Sequence, residues 1–332
     1  MSSEFKLFYD DWLDYRKLFT TEGDIDLPVN LSTEFFQNLK FDTDSLKQYR
    51  IDAATRCAET LGNNPALCFS GGVDSQAMLQ AWREAKLKFK VFTLVFNDNL
   101  NIQDVAHARH YCSVNNIELI EIPFDVIKFL TRDNFNVGIK YKSRSPHFNV
   151  HYEMFDMLRD KGYTGVCAGG TIPFKNGDMW GTSFEYNPLN FIQYAQISGF
   201  AAQGSFLSFS PELCWTITLQ TPDSWPFRPE YFNDRSMEFI NNINASRYID
   251  KLEGFRKTGF DVIPQEKKYT GFELVRDYFE KLTGDGWTFE KRFRMPFAKV
   301  ITVKYGITRL QFVNSNQSVV DSIYDNNFRP CL

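Results

Sequence analysis

The chain has 332 residues, 43% of them hydrophobic and 23% charged, the balance of a globular protein long enough for a large core. Its formal charge is −4, all of it contributed by the first 40 residues, so it lacks the strongly basic field of a protein that wraps nucleic acid. The six cysteines are scattered without a C-x-x-C, which excludes a zinc ribbon or thioredoxin-type pair and suits a reducing cytoplasm, and no apolar run approaches the length of a membrane span.

Residues 1–41 alternate aromatic and charged side chains (Phe5, Leu7, Tyr9, Trp12, Tyr15, Phe19) and read as a small N-terminal cap. Helical spacing from Leu46 to Leu61 stops at Gly62-Asn63-Asn64-Pro65. A strand–helix alternation follows. Strand Ala66–Phe69 leads through Ser70-Gly71-Gly72-Val73-Asp74-Ser75 into a helix over about 74–87, with Ala77, Met78, Ala81, Trp82 and Ala85 on one face. Strand Val91–Phe96 leads through Asn97-Asp98-Asn99 into a helix with Ile102, Val105, Ala106 and Cys112 inward. Strand Ile117–Ile122 precedes a helical turn at Asp125. A helix over about 147–161 precedes strand Thr164–Ala168 and then Gly169-Gly170-Thr171.

This alternation predicts an α/β fold over 42–185, a Rossmann-like parallel sheet with helices on both faces. From residue 186 to 332 the segments Phe191–Phe200, Arg235–Ile249 and Phe272–Leu282 have helical spacing, broken by Pro222, Pro226, Pro229 and Pro264. A mostly helical C-terminal region is expected, with one strand at Val300–Tyr305.

In a parallel sheet ligands bind beyond the carboxyl ends of the strands, where the strand order reverses. Three polar stretches converge there: Ser70–Ser75, Phe96–Asn97 and Gly169-Gly170-Thr171. The first is the most telling. A strand, a glycine turn and a helix start together make an anion site, because the first turn of a helix leaves backbone N–H groups unpaired at the positive end of its dipole. Gly71 and Gly72 let the backbone bend and approach the anion, and Ser70 and Ser75 offer hydroxyls. Asp74 would repel phosphate unless Mg²⁺ lies between them, so a metal is implied. The chain has no G-x-x-x-x-G-K-[ST], which excludes a Walker-type loop.

The stretch Ser70-Gly71-Gly72-Val73-Asp74-Ser75 resembles the pyrophosphate loop of the N-type ATP pyrophosphatase (PP-loop) superfamily, whose members include asparagine synthetase, GMP synthetase, ammonia-dependent NAD synthetase, tRNA-lysidine synthetase and tRNA thiolases. The resemblance implies ATP and Mg²⁺ as cofactors. It also implies cleavage of ATP between the α and β phosphates, adenylation of a substrate oxygen, and displacement of AMP by an amine or ammonia. Ser70, Gly71, Gly72, Val73, Asp74 and Ser75 would then bind the phosphates, and Phe96, Asn97, Gly169, Gly170 and Thr171 would contact nucleotide or substrate. Gly169-Gly170-Thr171 stands where asparagine synthetases have Ser-Gly-Glu-Gly-Ala-Asp-Glu. The paired acids of that stretch are missing here, and Asp178 is the candidate second metal ligand beside Asp74. The acid-plus-Ala/Arg stretch around Asp104 also resembles asparagine synthetases, although an acid early in a helix is ordinary.

Other residues carry two readings each. Arg144, in Ser143-Arg144-Ser145-Pro146-His147, either clamps a carboxylate or phosphate, or belongs to a capped helix start. His147 and His151 have metal-ligand spacing but no third ligand. Cys167, at the end of the fourth strand, is either a small buried thiol or, as tRNA thiolases suggest, a sulfur carrier. Residues 251–309 hold thirteen Lys and Arg against eight acids, and Lys267 with Lys268 is the best candidate to fold over the pyrophosphate. The function expected is asparagine-synthetase-like ligation on a small molecule, with ammonia or an amine supplied freely or by a separate subunit. The alternatives are a PP-loop enzyme that thiolates or aminates bases of RNA or phage DNA, and a non-catalytic nucleotide-binding protein.

Overall fold

A computed structural model describes residues 35, 38–141, 146–168, 173–176, 179–182, 194–195, 197–199, 206–220, 251–266 and 271–283. The chain enters through α1 (Thr43–Leu61), whose start is fixed by Asp42: its carboxylate accepts the Ser45 N–H at 2.9 Å and the Ser45 hydroxyl at 2.8 Å. Gly62 ends the helix at φ +70°, and Asn64, also left-handed, turns the chain into β1 (Pro65–Cys68). Then come α2 (Val73–Glu84), β2 (Lys90–Phe96), α3 (Ile102–Val114) and β3 (Leu119–Phe124). Two short helical pieces, Val126–Lys128 and the π turn Phe129–Asp133, lead into α4 (Asn134–Tyr141), followed by α5 (Pro146–Asp160) and β4 (Thr164–Cys167).

The four strands form one parallel sheet in the order β3-β2-β1-β4. The direction of winding therefore reverses between β1 and β4, and Cys68 pairs in register with Cys167 at the carboxyl end of that junction. Side chains alternate across the sheet as strand geometry requires. Leu67, Phe69, Val91 and Val166 face one core, built on α1, α2 and α3. Ala66, Cys68, Phe92, Leu94, Phe96 and Cys167 face the other, built on α4 and α5.

Residues beyond 185 enter both cores. Phe206, Leu207, Leu213 and Ile217, from the turn Phe206–Phe209 and α6 (Pro211–Gln220), join the first, as do Leu252, Phe255, Phe260 and Val262. Residues 251–257 form helix α7. Tyr194, Phe272, Val275 and Phe279, the last two on α8 (Glu273–Thr283), join the second.

The expected α/β sheet with helices on both faces is present, with some boundaries displaced. The second helix of the sheet domain ends at Glu84, before Lys86 at φ +53°, three residues short of the expected Leu87. The third strand starts at Leu119, two residues later than the apolar run at Ile117 suggests. In α3 Val105, Ala108, Tyr111 and Cys112 are buried, and Ala106 is exposed rather than inward. Hairpin β5 (Pro173–Asn176) and β6 (Met179–Thr182) was not expected from the pattern, while helix α6 falls in the region expected to be mostly helical. The cap at 1–41 and the segments Arg235–Ile249 and Val300–Tyr305 lie almost wholly outside the described residues.

Candidate functional site

The loop Ser70–Gly72 follows β1 at the point where the sheet reverses its winding, the place where open α/β sheets bind ligands. Gly71 has φ +80°, and a Cβ there would lie 2.7 Å from the Ala108 N and 3.1 Å from the Asp104 O, so only glycine lets the loop rest on α3. Gly72 is the N-cap of α2 and supplies no side-chain cap, while the first helical hydrogen bond runs from the Gln76 N–H to the Gly72 O at 3.0 Å. The amides of Val73, Asp74 and Ser75 precede that bond, which is the arrangement that receives an anion.

The two serines have different tasks. The Ser75 hydroxyl donates to the Gly72 O at 2.8 Å and so holds the turn. Ser70 is exposed and its Oγ accepts the Gly72 N–H at 3.3 Å. Val73 is buried and contributes its backbone only.

Asp74 is half-buried and already paired. The Lys251 Nζ on α7 lies 2.6 Å from its Oδ2 and 2.5 Å from its Oδ1. The pair neutralises the loop's negative charge and brings a cation to the helix start. Lys251 is therefore the basic residue that the described structure places at the loop. Among the described residues no group of three or more His, Cys, Asp or Glu could hold a metal ion. This donor set fits Mg²⁺ only in the manner of phosphate-bound magnesium, held by one carboxylate, phosphate oxygens and water, with Asp74 as that carboxylate.

No family model and no curated protein matches the chain. Among solved structures it is similar to NMN synthetase from Francisella tularensis, at 15% identity over 74% of this chain and 96% of that one, with a TM-score of 0.34. It is also similar to the ammonia-dependent NAD synthetase from Campylobacter jejuni, at 14% identity over 80% and 94% of the two chains, with a TM-score of 0.28. At such identities and scores neither likeness says what this chain does.

At the end of β2, Phe96 is buried against Phe124 and Phe272, with ring centroids 5.9 and 5.6 Å away. Asn97 accepts the Val126 N–H at 3.2 Å and lines a cleft of about 350 Å³ with Asp98, Asp125, Lys128, Arg132 and Tyr278. Asp98 and Asn99 are both left-handed, at φ +53° and +57°. Arg144, Lys267, Lys268, Gly169, Gly170, Thr171 and Asp178 lie outside the described residues.

Several residues gain a place that the sequence did not give them. Asp104 receives the Gln265 Nε2 at 3.3 Å, and Gly271, at φ +79°, would put a Cβ 2.7 Å from its Oδ2. Burial pushes the Asp104 carboxyl up to about 6, with Glu273 acting in the same direction. Gln76, the residue directly after the loop, is fully buried and grips the Gly71 O at 2.7 Å.

Other candidates lie in or against the second core: Cys167 is a member, and the half-buried His147 and His151 rings pack on Phe272 and Phe148. The His147 ring packs on Phe272 at 4.3 Å, and burial lowers His151 to about 4, so His151 is neutral near pH 7. Cys167 is buried beside Cys68, whose thiol burial pushes well above its usual range. No helix among the described residues is long and apolar enough to cross a membrane.

Proposed function

We propose that the protein is an ATP-dependent adenylating enzyme of the PP-loop type, which cleaves ATP to AMP and pyrophosphate. The observation that carries this reading is the Ser70–Ser75 turn: a glycine at positive φ and an uncapped helix start at the sheet's reversal point, with an acid and a lysine paired beside them. The Val73–Ser75 amides and the Ser70 hydroxyl bind the outer phosphates. Lys251 leaves Asp74 for the phosphate oxygens, where it offsets charge as pyrophosphate departs. Mg²⁺, held by Asp74, supplies further charge neutralisation when bound. An oxygen of the acceptor attacks the α phosphorus, the bond to the β phosphate breaks, and pyrophosphate leaves. An amine or ammonia then displaces AMP from the activated acceptor, as in asparagine-synthetase-like ligases. The loop works by alignment and electrostatics and offers no nucleophile of its own.

The test is product analysis. The full chain is incubated with ATP, Mg²⁺, ammonium and a metabolite extract. AMP with pyrophosphate is the expected pair, and ADP with phosphate contradicts cleavage between the α and β positions.

A further inference from the structure

We infer that Gln76 is a positioning residue that ties the Gly71 turn to segment 258–265, so that the state of the loop and the docking of that segment form one linked equilibrium. Its consequence for nucleotide rests on the phosphate reading of the loop.

The Gln76 amide makes a complete set of bonds inside the protein. Its Nε2 donates to the Gly71 O at 2.7 Å and to the Ile263 O at 2.9 Å, and its Oε1 accepts the Ile263 N–H at 2.7 Å. Both amide hydrogens are thereby used. The His107 Nε2, 3.1 Å from both Gln76 Nε2 and the Ile263 O, must then carry its own hydrogen and donate to that carbonyl. Burial lowers the His107 pKa, which favours the neutral ring this requires.

Gln80, one turn further along α2, repeats the device. Its Oε1 accepts the Asp261 N–H at 2.7 Å and its Nε2 donates to the Gly259 O at 3.2 Å. A spacing of four on the helix thus matches a spacing of two on the extended segment, and side-chain amides take the place of a neighbouring strand. One turn beyond, Glu84 holds Arg50, which donates to the Thr258 O at 2.6 Å.

The grip on Gly71 has a directional effect. In a trans peptide the N–H points opposite to the preceding C=O, and none of the described peptide bonds is cis. Holding the Gly71 O inward therefore aims the Gly72 N–H the other way, toward Ser70. A ligand that needs this orientation stabilises the gripped state and with it the docked segment. By reciprocity, a docked segment favours the ligand.

Hydrogen exchange of the full chain tests this, with Mg²⁺ and a non-hydrolysable ATP analogue and with two variants. Gln80→Ala loosens the segment without touching the loop, and Gln76→Met removes the grip at similar volume. Coupling predicts that the analogue slows exchange at Asp261 and Ile263 about tenfold in the unaltered protein. It predicts that Gln80→Ala speeds exchange at Gly72 and weakens the analogue about fivefold, and that in Gln76→Met the analogue no longer protects Asp261. If Gln80→Ala leaves both Gly72 exchange and analogue affinity unchanged, the coupling is refuted. If the unaltered protein binds no analogue while Gln80→Ala still speeds Gly72, the coupling stands and the phosphate reading of the loop falls.

Discussion

Lys251 Nζ meets the Asp74 carboxylate at 2.6 Å across a sequence separation of 177 residues, so the C-terminal half of the chain reaches the first turn of the helix that follows β1. The side chains are 16% and 32% exposed, which makes the pair more than a solvated surface contact. Converting Asp74 to Asn should lower pyrophosphate release by about 100-fold, and Lys251→Ala by about tenfold or more, each a loss of charge stabilisation in the transition state. Equal rates in both variants and the unaltered protein would remove the pair from the site.

Gly71→Ala should cost roughly 2–3 kcal/mol in stability, because the added methyl meets α3 backbone and the residue sits at φ +80°. Chemical denaturation measures the cost. Gly162→Ala is the comparison: it has the same φ of +80°, but nothing lies within 4 Å of its Cβ. It should lose only the backbone part, about 1 kcal/mol.

Arg50 forms a fork on Glu84 at 2.8 and 3.0 Å and is 6% exposed. Gly259, at φ +81°, makes room for the same guanidinium: a Cβ there would lie 2.6 Å from Nη1. Arg50→Met strands Glu84 and frees the Thr258 carbonyl, with an expected loss of about 3 kcal/mol. A urea titration that showed less than about 0.5 kcal/mol would mean the pair is solvated after all.

The sheet was legible because its strands are short apolar runs ended by small or polar turn residues, and the loop was legible because Ser70–Ser75 is contiguous. The boundaries at Glu84 and Leu119 were not, since apolar residues such as Leu87 and Ile117 pack against the first core from outside the helix and the strand. Lys251, Gln265 and Ile263 reach α2 and α3 from more than 150 residues away, and no local pattern announces such contacts. Gln76 did leave a local signal: a large amide at a helix position flanked by the buried residues Ser75 and Ala77 must find partners inside the protein. With Gln80 and Glu84 it forms an i, i+4, i+8 stripe, which reads as a polar face until the segment docked on it is known.

Asp104 gives a pH prediction. Its carboxyl titrates near 6 in the folded protein, against 3.8 for the free side chain, so the folded state binds more protons between these values. Asp104 therefore contributes a negative slope: its share of the stability is fully present below the unfolded pKa and is lost as pH rises through about 6, about 3 kcal/mol in total, in the opposite sense to His151, whose lowered pKa favours folding as pH rises. Asp104→Asn keeps an acceptor for Gln265 and should flatten this slope. Urea midpoints from pH 4 to 8 for both proteins check it, and parallel curves would rule out Asp104 as the source.

Whether the Ser70–Ser75 turn grips the phosphates of ATP is decided most directly by a crystal structure with Mg²⁺ and a non-hydrolysable ATP analogue. Phosphate oxygens should lie on the Val73–Ser75 amides, with Lys251 moved from Asp74 onto the phosphates. An analogue bound elsewhere, with the loop empty and the Lys251–Asp74 pair intact, would mean that the turn is not a phosphate site.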